Sequence, residues 1–203
     1  MRIACSLGSL LSVEEVIQCT ELVSKTGIDS IWIPETWGME NFSMLGAVAN
    51  KTKTQKIGSS IINIYSRSPS TISMGAATTD TLSNGRLILG LGTSSVPIVE
   101  DFHGEKFENP VQRMREYVEI IRLSLTKKQI NYSGKIFDLK NFTLLIEPQR
   151  QSIPIYLAAI NQKMVNLCWE IADGVIFYLR PIDEMKKTIS KMQSQKNIDV
   201  ACQ

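Results

Sequence analysis

A rhythm limits what this chain can fold into more than any other feature. Strand-like runs begin near residues 2, 29, 56 and 86, and a stretch with helical spacing follows each of the first three. Strand–helix units repeating at a little under ~30 residues are what successive right-handed βα units on a parallel sheet look like. The fourth run is the most telling. Leu87-Ile88-Leu89-Gly90-Leu91 carries no polar side chain at alternate positions, which suits a strand covered on both faces. It ends in Gly92-Thr93-Ser94-Ser95, where glycine permits close backbone approach and the hydroxyls offer short donors. In α/β folds ligands sit at the carboxyl ends of such strands. Residues 92–95 are therefore expected to form one wall of a binding site.

The elements can be read in order. Ser12, with Glu15 three residues on, is a capping box for a helix that carries Val13, Val16, Ile17, Thr20 and Val23 at helical spacing and stops at Gly27. Strands are expected over 2–7, 29–34, 57–62, 87–91, 155–159 and 175–178, with a seventh only begun at 199–203. Helices are expected over 43–51 and 69–82, the latter opened by Ser68-Pro69. Its Ser73, Gly75, Ala76 and Ala77 permit close approach to the barrel or to another subunit. Residues 96–152 read as an insertion within the domain. It comprises a polar loop, a long helix with Met114, Tyr117, Val118, Ile121 and Leu125 on its buried face and an exposed Arg115–Glu119 pair, a hairpin at 129–137 and a further loop. Six strands and a beginning do not close an eight-stranded barrel, which needs about 250 residues. The expectation is one domain over 1–203 with its C-terminal part absent.

Composition narrows the function classes. The formal net charge is +2, hydrophobic residues make up 43%, and the basic residues are scattered, so no nucleic-acid surface is expected. No apolar run approaches the roughly 20 residues that span a bilayer, and residues 1–6 enter a strand directly instead of a signal-type apolar region. Four widely separated cysteines and one histidine, His103, offer no metal-ligand spacing. A cytoplasmic protein with free thiols and no metal is expected.

Gly90-x-Gly92 lacks the third glycine of a dinucleotide fingerprint, position 95 being Ser, and a loop follows it where a helix would be needed. Glu35 is either an acid facing a ligand or a charge at a helix entry. Trp37 either stacks on a ring or plugs the barrel mouth. His103 has only Asp101 and Glu105 nearby to orient it, which favours a surface role. Arg67 is expected to pair with an acid of the protein, and Arg113, Arg115 and Arg122 to form a solvated helix face.

Several stretches taken together resemble a known family. They are Ile31-Trp32-Ile33-Pro34-Glu35, residues 58–69 (Gly-Ser-Ser-Ile-Ile-Asn-Ile-Tyr-Ser-Arg-Ser-Pro), residues 82–92, Pro154-Ile155-Tyr156-Leu157-Ala158-Ala159, and Ala172-Asp173-Gly174-Val175. The chain resembles the bacterial-luciferase-like flavin- and deazaflavin-dependent oxidoreductases. Residues 58–69 look most like methylenetetrahydromethanopterin reductase and its deazaflavin-dependent relatives. The resemblance implies a TIM (β/α)8 barrel of the luciferase-like type, here incomplete, and the cofactor F420, a hydride carrier, with FMN as the alternative. It also implies a bulge in the third strand with a cis peptide bond at Ser60–Ile61 that backs the ring.

The same resemblance places Ser60, Ile61 and Asn63 against the ring, and Gly92, Thr93 and Ser94 at contacts after the fourth strand. It brings the backbone of Ala159, Ile160 and Asn161 to the cofactor's side chain and makes Glu35 the best candidate for a catalytic acid. The helices near 43–51 and 69–82 correspond to the family's dimer face, so a homodimer is implied. The chain departs from the pattern at three places. Thr36 stands where relatives often carry His, Ser95 where one branch has a catalytic Glu, and Ile160-Asn161-Gln162 where Gly-Gly-Pro is usual. The implied function is hydride transfer between reduced F420 and a small organic substrate. The alternatives are an FMN-dependent monooxygenase and a truncated, non-catalytic flavin-binding or dimerising module.

Overall fold

The computed structural model describes residues 2–8 and 10–202. Seven strands lie side by side in one parallel sheet: β1 (Ala4–Ser6), β2 (Ser30–Ile33), β3 (Lys56–Ser59), β5 (Leu87–Gly92), β8 (Ile155–Ala158), β9 (Gly174–Phe177) and β10 (Asp199–Cys202). The two-residue β4 (Ile62–Asn63) continues the line of β3 and pairs with β5. The helices α1 (Val13–Val23), α2 (Asn41–Lys51), α3 (Pro69–Leu82), α4 (Pro110–Thr126), α5 (Gln162–Ile171) and α6 (Ile182–Gln193) cover the outer face, and β6 (Ile130–Ser133) with β7 (Asp138–Phe142) forms the separate hairpin. The architecture is the incomplete luciferase-like barrel that the resemblance implied. The strand of which the sequence shows the start pairs with β9 from Asp199↔Gly174 to Cys202↔Phe177. Gln203, the last residue of the expected beginning, lies outside the described residues.

Alternation along the strands separates two cores. Ile31, Ile33, Ile57, Leu87, Leu89, Ile155, Leu157, Val175 and Phe177 face outward into the main core under the helices. Trp32, Ile88, Tyr156 and Ile176 form a second cluster on the inner face. Big side chains there stand beside glycines on neighbouring strands. Trp32 is opposite Gly58 and Tyr156 opposite Gly174. A Cβ at Gly58 would come within 2.5 Å of the Trp32 ring, and one at Gly174 within 2.7 Å of the Tyr156 ring. The sheet curls far enough for Arg2, just before β1, to pair with Asp199 at the start of β10, which also accepts from the Tyr156 hydroxyl. An inner cavity of about 690 Å³ lies over this cluster.

Local signals place the helices. Ser12 and Glu15 form the full capping box, and Ser68 caps α3 ahead of Pro69. The small residues of α3 do bring something close, but within the chain, because a Cβ at Gly75 would fall 2.5 Å from the Phe42 ring of α2. The arginines of α4 are not a solvated face. Arg113 stacks on Tyr65 and Phe137, Arg115 makes a forked pair with Glu170 in place of Glu119, and Arg122 reaches Asp173. Guanidinium planes prefer aromatic faces and bidentate carboxylates to water.

Candidate cofactor and substrate site

The site begins with an interruption in a ladder. β3 pairs with β5 at Ile57↔Leu87 and Gly58↔Ile88, and β4 resumes at Ile62↔Leu91 and Asn63↔Gly92. Four steps along one strand match three along the other, which is a bulge of one extra residue. Across the gap the Ser59 hydroxyl serves Gly90 twice, accepting from its N–H at 2.7 Å and donating to its carbonyl at 2.8 Å. The bond Ser60–Ile61 is cis, as the resemblance implied.

The glycines of β5 answer to this bulge. A Cβ at Gly90 would lie 1.8 Å from the Ser59 carbonyl oxygen, and one at Gly92 would lie 2.4 Å from the Ile61 side chain. The bulky neighbour expected near Gly92 is thus found within the protein, in the Ile61 side chain. Ser60 and Asn63 flank Ile61. Asn63 is buried, and its side-chain oxygen accepts from the Tyr65 N–H at 3.0 Å. Its Nδ2 and the Ser60 Oγ are buried and have no hydrogen-bond partner among the described residues.

The other expected residues gather at the same end of the sheet. Thr93 and Ser94 follow Gly92 directly, and Ser94 has a left-handed backbone (φ 57). Ile64 N–H donates to the Gly92 carbonyl at 3.0 Å, so residues 60–63 and 92–94 border one rim. Ala159, buried, follows β8 on the neighbouring strand. Ile160 is exposed, and the Asn161 side chain caps α5 by accepting from the Met164 N–H at 3.0 Å.

Glu35 stands apart from this group chemically. Its two carboxylate oxygens take a fork from Arg67 at 2.6 and 2.8 Å, and one also accepts from the Asn41 N–H at 3.0 Å. Arg67 is shared with Glu40 at 2.5 Å. A carboxylate so engaged is fixed in place by hydrogen bonds within the protein. Glu35, the expected catalytic candidate, is thus engaged by Arg67 and the Asn41 backbone in this structure, and Arg67 pairs with protein acids as its sequence reading anticipated. The partner of Glu35 lies 32 residues away, and no local signal announces it. His103 is an exposed residue closing the short helix at 98–102.

Apolar side chains left in solvent are concentrated on this rim. Trp37 follows β2, Val96 and Phe102 follow β5, Ile160 follows β8, and Tyr178 and Leu179 follow β9, all of them exposed. Trp37 neither plugs the mouth nor stacks on a ring within the chain. It meets Phe102 edge-on, with ring centroids 5.7 Å apart at 85°. Among the described residues no group of three or more His, Cys, Asp or Glu could hold a metal ion, and no helix is long and apolar enough to cross a membrane.

Comparison with known proteins gives a consistent picture. Residues 1–199 match the family model described as luciferase-like monooxygenase. A 5,10-methylenetetrahydromethanopterin reductase from Archaeoglobus fulgidus is 38% identical over 77% of this chain and 46% of its own length. The chain spans about half the length of the curated relatives it matches. Among solved structures, the coenzyme F420-dependent tetrahydromethanopterin reductase of Methanopyrus kandleri superposes with a TM-score of 0.89 at 23% identity, over 99% of this chain and 65% of that one. The oxygenating constituent of the 3,6-diketocamphane monooxygenase of Pseudomonas putida, in complex with FMN, superposes with a TM-score of 0.81 at 16% identity, over 100% and 66%.

Proposed function

Because this chain belongs to the luciferase-like monooxygenase family, we propose that its rim seats the flat ring of coenzyme F420 for hydride exchange with a small organic substrate. The observation that carries this reading is the pair of buried, unpartnered polar atoms, Ser60 Oγ and Asn63 Nδ2, on either side of Ile61. A buried polar group without a partner costs about 1–3 kcal/mol. A heterocycle edged with carbonyl and ring-nitrogen acceptors, its face on the Ile61 side chain, would relieve both once these side chains turn out to its edge.

In this reading Thr93 and Ser94 offer hydroxyls from the neighbouring strand end, and the backbone at Ala159, Ile160 and Asn161 borders the cofactor's side chain. The bound cofactor supplies the hydride chemistry. The protein's part is proximity, orientation and an apolar backing. Glu35 contributes by fixing Arg67 and the loop after β2. The name of the A. fulgidus relative makes a methylene-bearing pterin the first substrate to test. A homodimer through α2 and α3 belongs to the same reading and is supported by the exposed Met74 and Leu82 on α3. So does a cytoplasmic setting, supported by the four free thiols.

Titration of the purified chain with oxidised F420 and, separately, with FMN tests the reading. Saturable F420 binding is expected, weakened about tenfold by Asn63→Ala, the equivalent of one lost hydrogen bond to a buried group. Binding of FMN alone would transfer the site to the monooxygenase alternative. No saturable binding of either would end the cofactor assignment.

A further inference from the structure

We propose that Trp37 and Phe102 form the seat for the substrate, and that the substrate presents there an uncharged, planar, unsaturated ring. The inference rests on reading the adjacent bulge as the cofactor's place. Trp37 is 72% exposed and Phe102 60%, although side chains of this size are among the most rewarding to bury. Both stay in solvent, Trp37 on the loop after β2 and Phe102 at the end of the short helix 98–102, and still find each other edge-to-face.

Their place in the fold gives the pair its meaning. Trp37 follows β2 and Phe102 follows β5, while β3 and its bulge lie between those strands in the sheet. The two rings therefore meet across the strand that carries Ser60, Ile61 and Asn63. Two rings at 85° form a corner, in which a flat molecule lies on one face and abuts the other. Such contacts select shape and polarisability and do not depend on hydrogen-bonding pattern.

Charge narrows the class further. From Ile98 to Glu108 the chain carries Glu100, Asp101, Glu105 and Glu108 against Lys106 alone. On the other side Arg67 is already matched by Glu35 and Glu40. The two segments that carry the rings are thus net negative in themselves, with Arg113 of α4 stacked on Tyr65 beside the second of them, and this charge disfavours a phosphate or carboxylate carried on the ring.

Two probes that share one ring system separate shape from charge: 2-naphthol, neutral at pH 7, and naphthalene-2-sulfonate. Binding is followed by saturation-transfer NMR on the whole chain. Saturable binding of 2-naphthol is expected, with about tenfold loss in either Trp37→Leu or Phe102→Leu, and the sulfonate is expected to bind at least tenfold more weakly. Both side chains are exposed, so the variants should fold, which circular dichroism verifies. Unchanged 2-naphthol binding in both variants, or equal binding of the sulfonate, would overturn the proposal. So would a Trp37→Leu variant that changes the chain's oligomeric mass and leaves 2-naphthol binding intact. F420 titrations on the same variants distinguish the two readings. Loss of 2-naphthol with F420 binding retained supports the aromatic seat. Failure of the wild type to bind F420, with the naphthol results intact, removes only the cofactor assignment.

Discussion

At the scale of residues, the site depends on side chains that take over backbone duties. The Ser59 hydroxyl occupies the place of a missing ladder contact, holding both polar groups of Gly90 where β3 leaves β5. Ser59 is fully buried, so Ser59→Ala would leave the N–H and the carbonyl of Gly90 without partners. That should cost about 3 kcal/mol, read as a lower urea midpoint with an unchanged slope; a shift within error would show that water or a backbone move replaces the hydroxyl. Caps were legible at this scale, because Ser12, Glu15, Ser68 and Pro69 act on neighbours within a turn. Glu35 was not, since nothing around residue 35 tells that its partner is Arg67. Nor was the service Gly90 and Gly92 render to the bulge, which depends on which strand lies alongside.

At the scale of elements, the hairpin shows how one buried charge moves a boundary. The sequence places a hairpin at 129–137, but the second strand starts only at Asp138. The reason is Glu116 of α4, fully buried, whose carboxylate accepts from the N–H groups of Lys135, Ile136 and Phe137 and from the Gln112 side chain. These backbone groups are committed to the helix and so lie in the turn. Burial alone would raise the Glu116 pKa, but the Gln112 and backbone hydrogen bonds outweigh it and hold the pKa below the ordinary value. A carboxylate depressed on folding stabilises above its unfolded pKa, about 4.3, and loses that contribution as pH falls through the folded value. Amide exchange at 135–137 should therefore stay slow at neutral pH and accelerate only on acidification below about pH 4. Glu116→Gln should show the fast exchange already at pH 7. Identical protection in the variant would mean that the strands, and not the carboxylate, hold the turn.

At the scale of the whole molecule, first and last strands are brought within reach of one another by the curl of the sheet, and Arg2, Asp199 and Tyr156 meet there. Burial raises the Asp199 pKa, but hydrogen bonds from Tyr156 and Arg2 more than offset it and leave the carboxyl below its usual range. The outer surface raises the question of assembly. Gly75 of α3 is taken up by Phe42 of α2 and Ser73, Ala76 and Ala77 are buried within the chain, which leaves the exposed Met74 and Leu82 as the apolar surface for a second subunit. Light scattering at micromolar concentration should give twice the mass of one chain, and Met74→Glu should bring it towards one. A wild-type monomer would refute the dimer.

The order of strands and helices, the covered faces of the sheet and the helix starts were determined by the sequence alone, because periodicity, caps and apolar runs act over a few neighbouring residues. Only the tertiary structure decided that the Ser60 hydroxyl and the Asn63 amide nitrogen would be left without partners among the described residues beside Ile61, that Glu35 would be locked by Arg67, and that Trp37 would meet Phe102. Each of these depends on the ends of non-consecutive strands arriving side by side, and that adjacency is written in the curl and register of the sheet and not in any stretch of the chain.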